Sequence, residues 1–396
     1  MRKKLLGAAL AAMAVLTASG QGPAQPAGTV LIRRLDGSTI SAAEIDATMT
    51  RLMQAAHVTG AGIALLNDGD VVYEKAYGWR DAEKRAPLTV DSVMTAASLS
   101  KSAFATMVMK LAQEGAVDLD APIARYLPKP LPEYPGYENL AGDARWKRLT
   151  LRMLLDHTSG FANLRSLEPD RKLRFHFDPG TRFAYSGVGI NLAQFVVETA
   201  TKHPLEELMR EHIFEPSGMT RTSMVWQARF EDDFANAYDE REHSLGPQRR
   251  TTANAAGGMQ TTLADYARFL SALMRGRLLS ARSSDAMFGP QIAIHSLHEF
   301  PTLAEETTKE NDAIRLSYGL GWGLYWTPYG EAFFKEGHDE GFRHYAVVFR
   351  KPKTGLLIMT NSSNGEGIYQ ELLETALKNP YTPIEWENFT PYNKMK

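Results

Sequence analysis

Apolar residues recur at helical spacing between positions 41 and 56, behind a serine that suits a helix start. The next stretch, "TGAGIALLNDGDVVYEKAYGWRD" (59–81), reads as two strands joined by a hairpin turn at Asn67, Asp68, Gly69 and Asp70. In 94–128, Phe104, Val108 and Leu111 fall at helical spacing and Gly115 ends the run, which puts Ser98 at the mouth of a buried helix. Helix and loop dominate from about 149 to 277, with helical patterns at 190–201, 204–213 and 262–275. Strand signals then return. "AFFKEGHDEGFRHYAVVFRKPKTGLLIMTNSSNG" (332–365) reads as three successive strands, and "GIYQELLETAL" (367–377) as a closing helix packed back on them. Strands at both ends with helices between predict an α/β (α+β) fold, an antiparallel β-sheet flanked by helices and interrupted by a mostly helical domain. The expected division is a sheet domain from 41–100 and 318–380, a mainly helical domain over 101–317, and a C-terminal tail over 381–396.

The N-terminus departs from this globular pattern. Arg2, Lys3 and Lys4 precede an apolar run from Leu5 to Leu16 and then small residues, the order of a secretory signal peptide, expected over 1–20. The run is short of the roughly 20 apolar residues that a membrane span needs. Glycine, glutamine and proline from Gln21 to Gly28 continue it as a flexible leader, expected over 21–40. These features predict an exported protein, periplasmic or secreted, with no integral span after signal removal. The formal charge of −2 becomes about −5 without the three basic residues, and charges of both signs are mixed along the chain. That excludes the footprint of a nucleic-acid partner. With no cysteine, the chain has no disulfide framework and no thiol for a lipid anchor.

Candidate chemistry begins at "SLSK", Ser98 to Lys101. A serine hydroxyl is a poor nucleophile until a neighbour takes its proton, and on a helix the side chains at i and i+3 share a face. The helix start also aims free N–H groups and a positive dipole end at developing negative charge. Lysine serves as a base only if its pKa falls from about 10.4, through burial or a nearby cation. A serine followed three residues later by lysine is weak evidence alone. A second feature is "AYSGVG", which places Tyr185 between the Pro179-Gly180 turn and a helix start, positioned to present its phenol at a domain boundary.

Together with "EGAVDLDAPIARYLP" (114–128), "LLDHTSGF" (154–161), "PGTRFAYSGVGINL" (179–192), "AAGGMQTTLADYARFL" (255–270) and "YGLGWG" (318–323), these motifs occur in an order that resembles the serine β-lactamase and penicillin-binding-protein superfamily. The resemblance is to the branch of class C β-lactamases, DD-peptidases and family VIII esterases, over roughly 40–375. It implies a β-lactamase/transpeptidase-like fold and a third motif, lysine or histidine, any residue, glycine, on an edge strand lining the pocket. Two strings compete for it, "KEG" (335–337) and "KTG" (353–355). The family follows its motif with glycine, an aromatic residue and an alternating strand. Gly341, Phe342 and the run to Phe349 supply that after "KEG", whereas "KTG" begins the next strand, so Lys335 is the expected lysine.

The resemblance further implies that Ser98 is the nucleophile, Lys101 its activator and Tyr185 the proton shuttle. Which of Lys101 and Tyr185 is the neutral base stays open, because close groups titrate together. The implied oxyanion hole is the backbone N–H of Ser98 and of His338, one such donor being worth about 3 kcal/mol of barrier. Gly187, Glu336, Gly337 and His338 are the expected substrate-binding positions. Two of them depart from the family pattern. Gly187 stands where lactamases usually carry asparagine, and Glu336 where threonine helps the lysine hold a substrate carboxylate. A carboxylate meeting a carboxylate is repelled by about 1 kcal/mol at contact in water, and more when desolvated. Glu336 either faces the pocket and opposes lactam-type carboxylates, or points outward.

Other residues carry plainer readings. His157 is expected to be a structural loop histidine. His295 and His298 have helical metal-pair spacing with no third ligand nearby, so they are expected at the surface, and no metal or other cofactor is implied. No G-x-S-x-G elbow occurs, against an α/β-hydrolase. The polar stretch 296–314 is expected to form a cleft-edge loop that tunes substrate choice. The functional expectation is an exported serine hydrolase acting through an acyl-enzyme on small esters, amides or short peptides. True β-lactamase or DD-peptidase activity, acyl transfer, and a non-catalytic penicillin-recognising protein are the alternatives.

Overall fold

The structure, a computed structural model, describes residues 30–394. The expected signal peptide, 1–20, and the leader up to residue 29 lie outside the described residues. Residues 30–40 correct the leader expectation, because β1 (Leu31–Arg33) and β2 (Thr39–Ser41) pair antiparallel. Ile32 and Ile40 are buried against the first helix, and that apolar contact orders the segment. That helix, α1 (Ala42–Ala56), begins at a reciprocal cap in which Ser41 Oγ accepts from the Glu44 N–H and the Glu44 carboxylate accepts from the Ser41 N–H.

The hairpin follows as expected, with β3 (Gly60–Asn67) and β4 (Asp70–Asp81) around Asp68 and Gly69, whose φ values of 53° and 83° suit a two-residue turn. β5 (Ala86–Pro87) pairs with β4. β6 (Met94–Thr95) then leads into α2 (Leu99–Gln113), which is buried around most of its circumference. The middle of the chain holds α3 (Leu151–Leu155), α4 (Gly187–Thr201), α5 (Leu205–Met209) and α6 (Glu215–Ser217), with loops and short 3-10 turns between them except for a π-helical stretch, Arg210–Phe214, that joins α5 to α6. A small ladder, β7 (Ala237–Tyr238) with β8 (Ser244–Gly246), precedes β9 (Gln260–Thr261), the partner of β6. Helices α7 (Leu263–Met274) and α8 (Ala281–Phe288) come next. The chain closes with β10 (Ile292–Ala293), β11 (Ser317–Tyr318), β12 (Gly323–Thr327), β13 (Gly330–Asp339), β14 (Phe342–Phe349), β15 (Thr354–Thr360) and α9 (Tyr369–Leu377).

Nine strands form one antiparallel sheet in the order β10-β11-β12-β13-β14-β15-β3-β4-β5. Period-two alternation gives it two apolar faces. Ala64, Leu66, Ala346 and Val348 pack with Phe104 and Val108 of α2 and Phe269 of α7. Ile63, Leu65, Tyr345 and Val347 pack with Ile45 and Met49 of α1 and Leu372 of α9. Each such fully buried side chain contributes about 1.5–3 kcal/mol relative to exposure.

The sheet layer extends beyond the expected segments. β10 joins it at 292–293, and α7 packs on β3, β4 and β15. The residues expected as a tail bury Ile384, Trp386 and Phe389 on the α1 and α9 face, because that face still has apolar surface to cover. Strand β13 is internal rather than an edge, yet β12 pairs with it only as far as Phe334. From Lys335 to Asp339 it is bonded to β14 alone, and α2 packs beside that open stretch.

Gly321, between β11 and β12, lets the chain pass close against α2. Its φ is 81°, and a Cβ there would stand 2.3 Å from Ala105 Cβ and 3.4 Å from the Lys101 carbonyl. Gly321→Ala is expected to cost about 2–4 kcal/mol in urea denaturation, through strained backbone and displacement of α2. An unchanged midpoint would show that the segment relaxes freely.

Candidate active site

Ser98 takes the N-cap position of α2, but its hydroxyl makes no capping bond. Ala97 before it has φ 48°, a left-handed conformation that costs a non-glycine residue roughly 1–3 kcal/mol. The strain is held by β6, since the Ala96 N–H donates to the Met259 carbonyl at 2.8 Å beside the β6–β9 pair. The Ser98 N–H has no backbone partner among the described residues. It therefore remains a free donor at a helix start.

One turn along, Lys101 Nζ lies 2.9 Å from Ser98 Oγ and donates to the Ala256 carbonyl at 2.6 Å. Burial first, and the charge of Lys335 second, push its pKa down to about 7. Tyr185 is placed by the loop before α4, whose own cap is Ser186 accepting from the Gly189 N–H at 2.9 Å. Its phenol is pushed well above its ordinary value by burial and then by Glu336, while a hydrogen bond with Ser98 acts in the opposite direction. Lys335 Nζ donates to the Tyr185 hydroxyl at 3.0 Å, and the two lysine ammonium positions lie 4.8 and 4.7 Å from the Tyr185 ring centre. Ser98, Lys101, Tyr185 and Lys335 thus meet in one place from α2, the loop before α4, and β13.

Glu336 is buried, forms an ion pair with Lys335 and lines the cleft, so the outward orientation does not occur. Gly337 allows close approach, since a Cβ there would stand 2.9 Å from the Ala96 carbonyl. The His338 side chain is half exposed at the cleft, 3.8 Å from the Glu366 carboxylate. Gly187 donates its N–H to Asn163 Oδ1 at 2.9 Å, and a Cβ at 187 would stand 3.1 Å from the Asn163 carbonyl. Asn163 therefore fills the space beside position 187 and brings an amide into the cleft.

His157 is fully buried, accepts the Ser186 N–H on Nδ1 at 3.1 Å and packs against the Tyr185 ring at a tilt, with ring centres 4.4 Å apart. Burial, then the Lys101 charge, holds its pKa well below the ordinary value, so it is a neutral support. His295 and His298 lie outside any helix, which removes their helical spacing. His295 is exposed near Asp312, and His298 bonds the Glu385 carbonyl through Nδ1 at 3.1 Å. Lys353 sits in the turn before β15, with its carbonyl accepting the Gly69 N–H at 2.8 Å, and does not line the cleft. Lys335→Ala is expected to lower turnover of an activated ester by at least about 100-fold and Lys353→Ala by no more than about twofold. A reversed order would return the motif to "KTG".

The cleft has a volume of about 1030 Å³. One wall comes from Glu299 and Phe300 of the 296–314 loop, which lies at the cleft edge as expected, and from Glu387 and Asn388 of the C-terminal segment, which the sequence motifs did not point to. The two segments are tied together, the Glu299 N–H donating to the Trp386 carbonyl at 2.8 Å and the Phe300 N–H to Asn388 Oδ1 at 3.2 Å. The apolar spacing of Ile384, Trp386 and Phe389 was the one available signal that this segment packs.

Known proteins are similar to this chain in sequence and in fold. The chain is 22% identical over 365 residues to penicillin-binding protein 4* of Bacillus subtilis, covering 83% of this chain and 74% of that one. It is 28% identical over 217 residues to esterase EstB of Burkholderia gladioli, covering 48% of this chain and 53%, about half, of the esterase. The fold is similar to that of a D-alanine carboxypeptidase AmpC from Burkholderia cenocepacia, with a TM-score of 0.67 and 22% identity over 84% of this chain and 99% of that one. The beta-lactamase family model matches residues 45–377, so the chain belongs to the beta-lactamase family.

Proposed function

We propose that this protein is a serine hydrolase that forms an acyl-enzyme at Ser98 with esters or short peptide amides. The observation that carries the proposal is the 2.9 Å approach of a buried Lys101 amine, its pKa lowered to about 7, to the Ser98 hydroxyl. Neutral Lys101 takes the Ser98 proton as Oγ attacks the substrate carbonyl carbon. The N–H groups of Ser98 and His338 receive the oxyanion. Tyr185, which stays a phenol, gives its proton to the leaving group and is resupplied through Lys101 and Lys335. Water then releases the acyl group by the reverse proton path. The similarity to an esterase and a penicillin-binding protein supports the reaction class.

Glu336 sets the ranking within that class. Its carboxylate pairs with Lys335, so a substrate carboxylate has to displace it. That favours esters and amides without a carboxylate beside the reacting bond over penicillin-like lactams. Export belongs to the same proposal and rests on the N-terminal sequence; no described helix is long and apolar enough to cross a membrane.

The test is a panel of an activated ester, a chromogenic cephalosporin and a D-amino-acid dipeptide amide. Ester or amide turnover is expected to exceed cephalosporin turnover, and Glu336→Thr to raise cephalosporin acylation by about tenfold, the size of one charge-assisted interaction. Efficient cephalosporin hydrolysis by the wild type would overturn the ranking.

A further inference from the structure

We infer that the cleft takes substrates bearing a protonated amine and holds the ammonium group on the Glu299 carboxylate, with Glu336 and Glu387 completing an acidic wall. The inference rests on the cleft being the hydrolase site and adds the substrate class.

Glu299 is 2% exposed, lines the cleft, and neither carboxylate oxygen has a hydrogen-bond partner among the described residues. Its loop is fixed by backbone bonds to the C-terminal segment, so the carboxyl group has no part in anchoring it. Leaving such a group buried and unsatisfied is costly. Glu387 is 3% exposed. One of its oxygens accepts from the Tyr345 hydroxyl at 2.9 Å, while Oε1 has no partner among the described residues. Glu336 is the third acid on the same cleft.

The cations nearby are otherwise engaged. Lys335 is paired with Glu336, and Lys101 serves Ser98 and the Ala256 carbonyl. At the cleft, Arg249 pairs with Glu231 and Arg250 with Asp339. Burial raises the carboxyl pKa of Glu299 and of Glu387, with Glu336 adding to both and the Lys335 charge acting in the opposite direction on both. An arriving ammonium favours the ionised form of these acids.

The chemistry of the wall favours an organic cation. Phe300 lines the cleft next to Glu299 and meets the Tyr185 ring edge-on with centres 5.6 Å apart, and an aromatic ring beside a carboxylate attracts an alkylammonium group. Among the described residues, no group of three histidine, aspartate or glutamate side chains could hold a metal ion.

The test compares benzylamine with benzyl alcohol, its neutral counterpart, by calorimetric titration of wild-type protein and Glu299→Gln at a pH near 7.5. The amine is expected to bind wild type at least about tenfold more tightly than the alcohol, and that ratio to fall close to one in Glu299→Gln. Equal binding of the two compounds by wild type overturns the inference, as does an amine preference that survives in a folded Glu299→Gln protein. If Glu299→Gln does not fold, the wild-type ratio decides. Neither compound is hydrolysed, so absent ester turnover would count against the proposed reaction alone, and absent amine preference against the acidic wall alone.

Discussion

Ser98→Ala is expected to lower kcat/KM for an activated ester by at least about 1,000-fold, since removing an activated nucleophile leaves only binding and oxyanion stabilisation. The loss should fall on kcat, with KM nearly unchanged, because the hydroxyl contributes bond formation rather than binding. Stability should stay within about 1 kcal/mol, as the hydroxyl makes no capping bond and contacts only the active-site side chains. Thermal unfolding of the variant separates the two effects. A variant that hydrolyses the ester as fast as wild type would remove Ser98 from the chemistry.

Lys101→Met should lower kcat/KM by about 100- to 10,000-fold and also change the shape of its pH dependence. In the proposed mechanism the competent form of Lys101 is the neutral amine, and burial pushes its pKa down to about 7. Activity of wild type on a neutral ester should therefore rise with pH, reach half its plateau near 7, and fall off below as the amine is protonated. His157 cannot produce this limb, because burial holds it neutral well below its ordinary pKa, and Tyr185 cannot, because its phenol titrates well above. The limb should vanish in Lys101→Met. A profile flat from about pH 6 to 9 in wild type, or the same limb persisting in the variant, would assign the proton transfer elsewhere.

The long alternating strands were readable because their register is set by which side chains must be buried. β14 and β15 fall inside the 332–365 stretch, β13 begins two residues before it at Gly330, and α9 falls inside 367–377. α2 was readable too, as its apolar positions and Gly115 bound it. β10 and β11 were not, being two residues long, with β10 defined only by a partner distant in sequence. In the described part of the C-terminal segment, 381–394, the spacing of Ile384, Trp386 and Phe389 shows apolar side chains without saying where they pack. They settle on a sheet face that the rest of the fold creates.

Within the site, the helix start and the tyrosine loop carried local signals, while the acidic wall carried almost none. Glu299 is buried only because the C-terminal segment closes over its loop, a contact between residues 299 and 386. Glu336 shows a second limit. Strand alternation places it opposite Lys335, yet the two side chains pair where β13 has lost its β12 neighbour. A motif gives residue identities, and the local end of a neighbouring strand decides where they reach.

The account stands or falls on the acyl-enzyme. Wild-type protein mixed with a p-nitrophenyl ester and quenched in acid within the first turnover should gain the mass of one acyl group, with one equivalent of p-nitrophenolate released. Peptide mapping should place the added mass on Ser98, and Ser98→Ala should show none. Steady ester turnover with no adduct, or with the acyl group on another residue, would contradict the account.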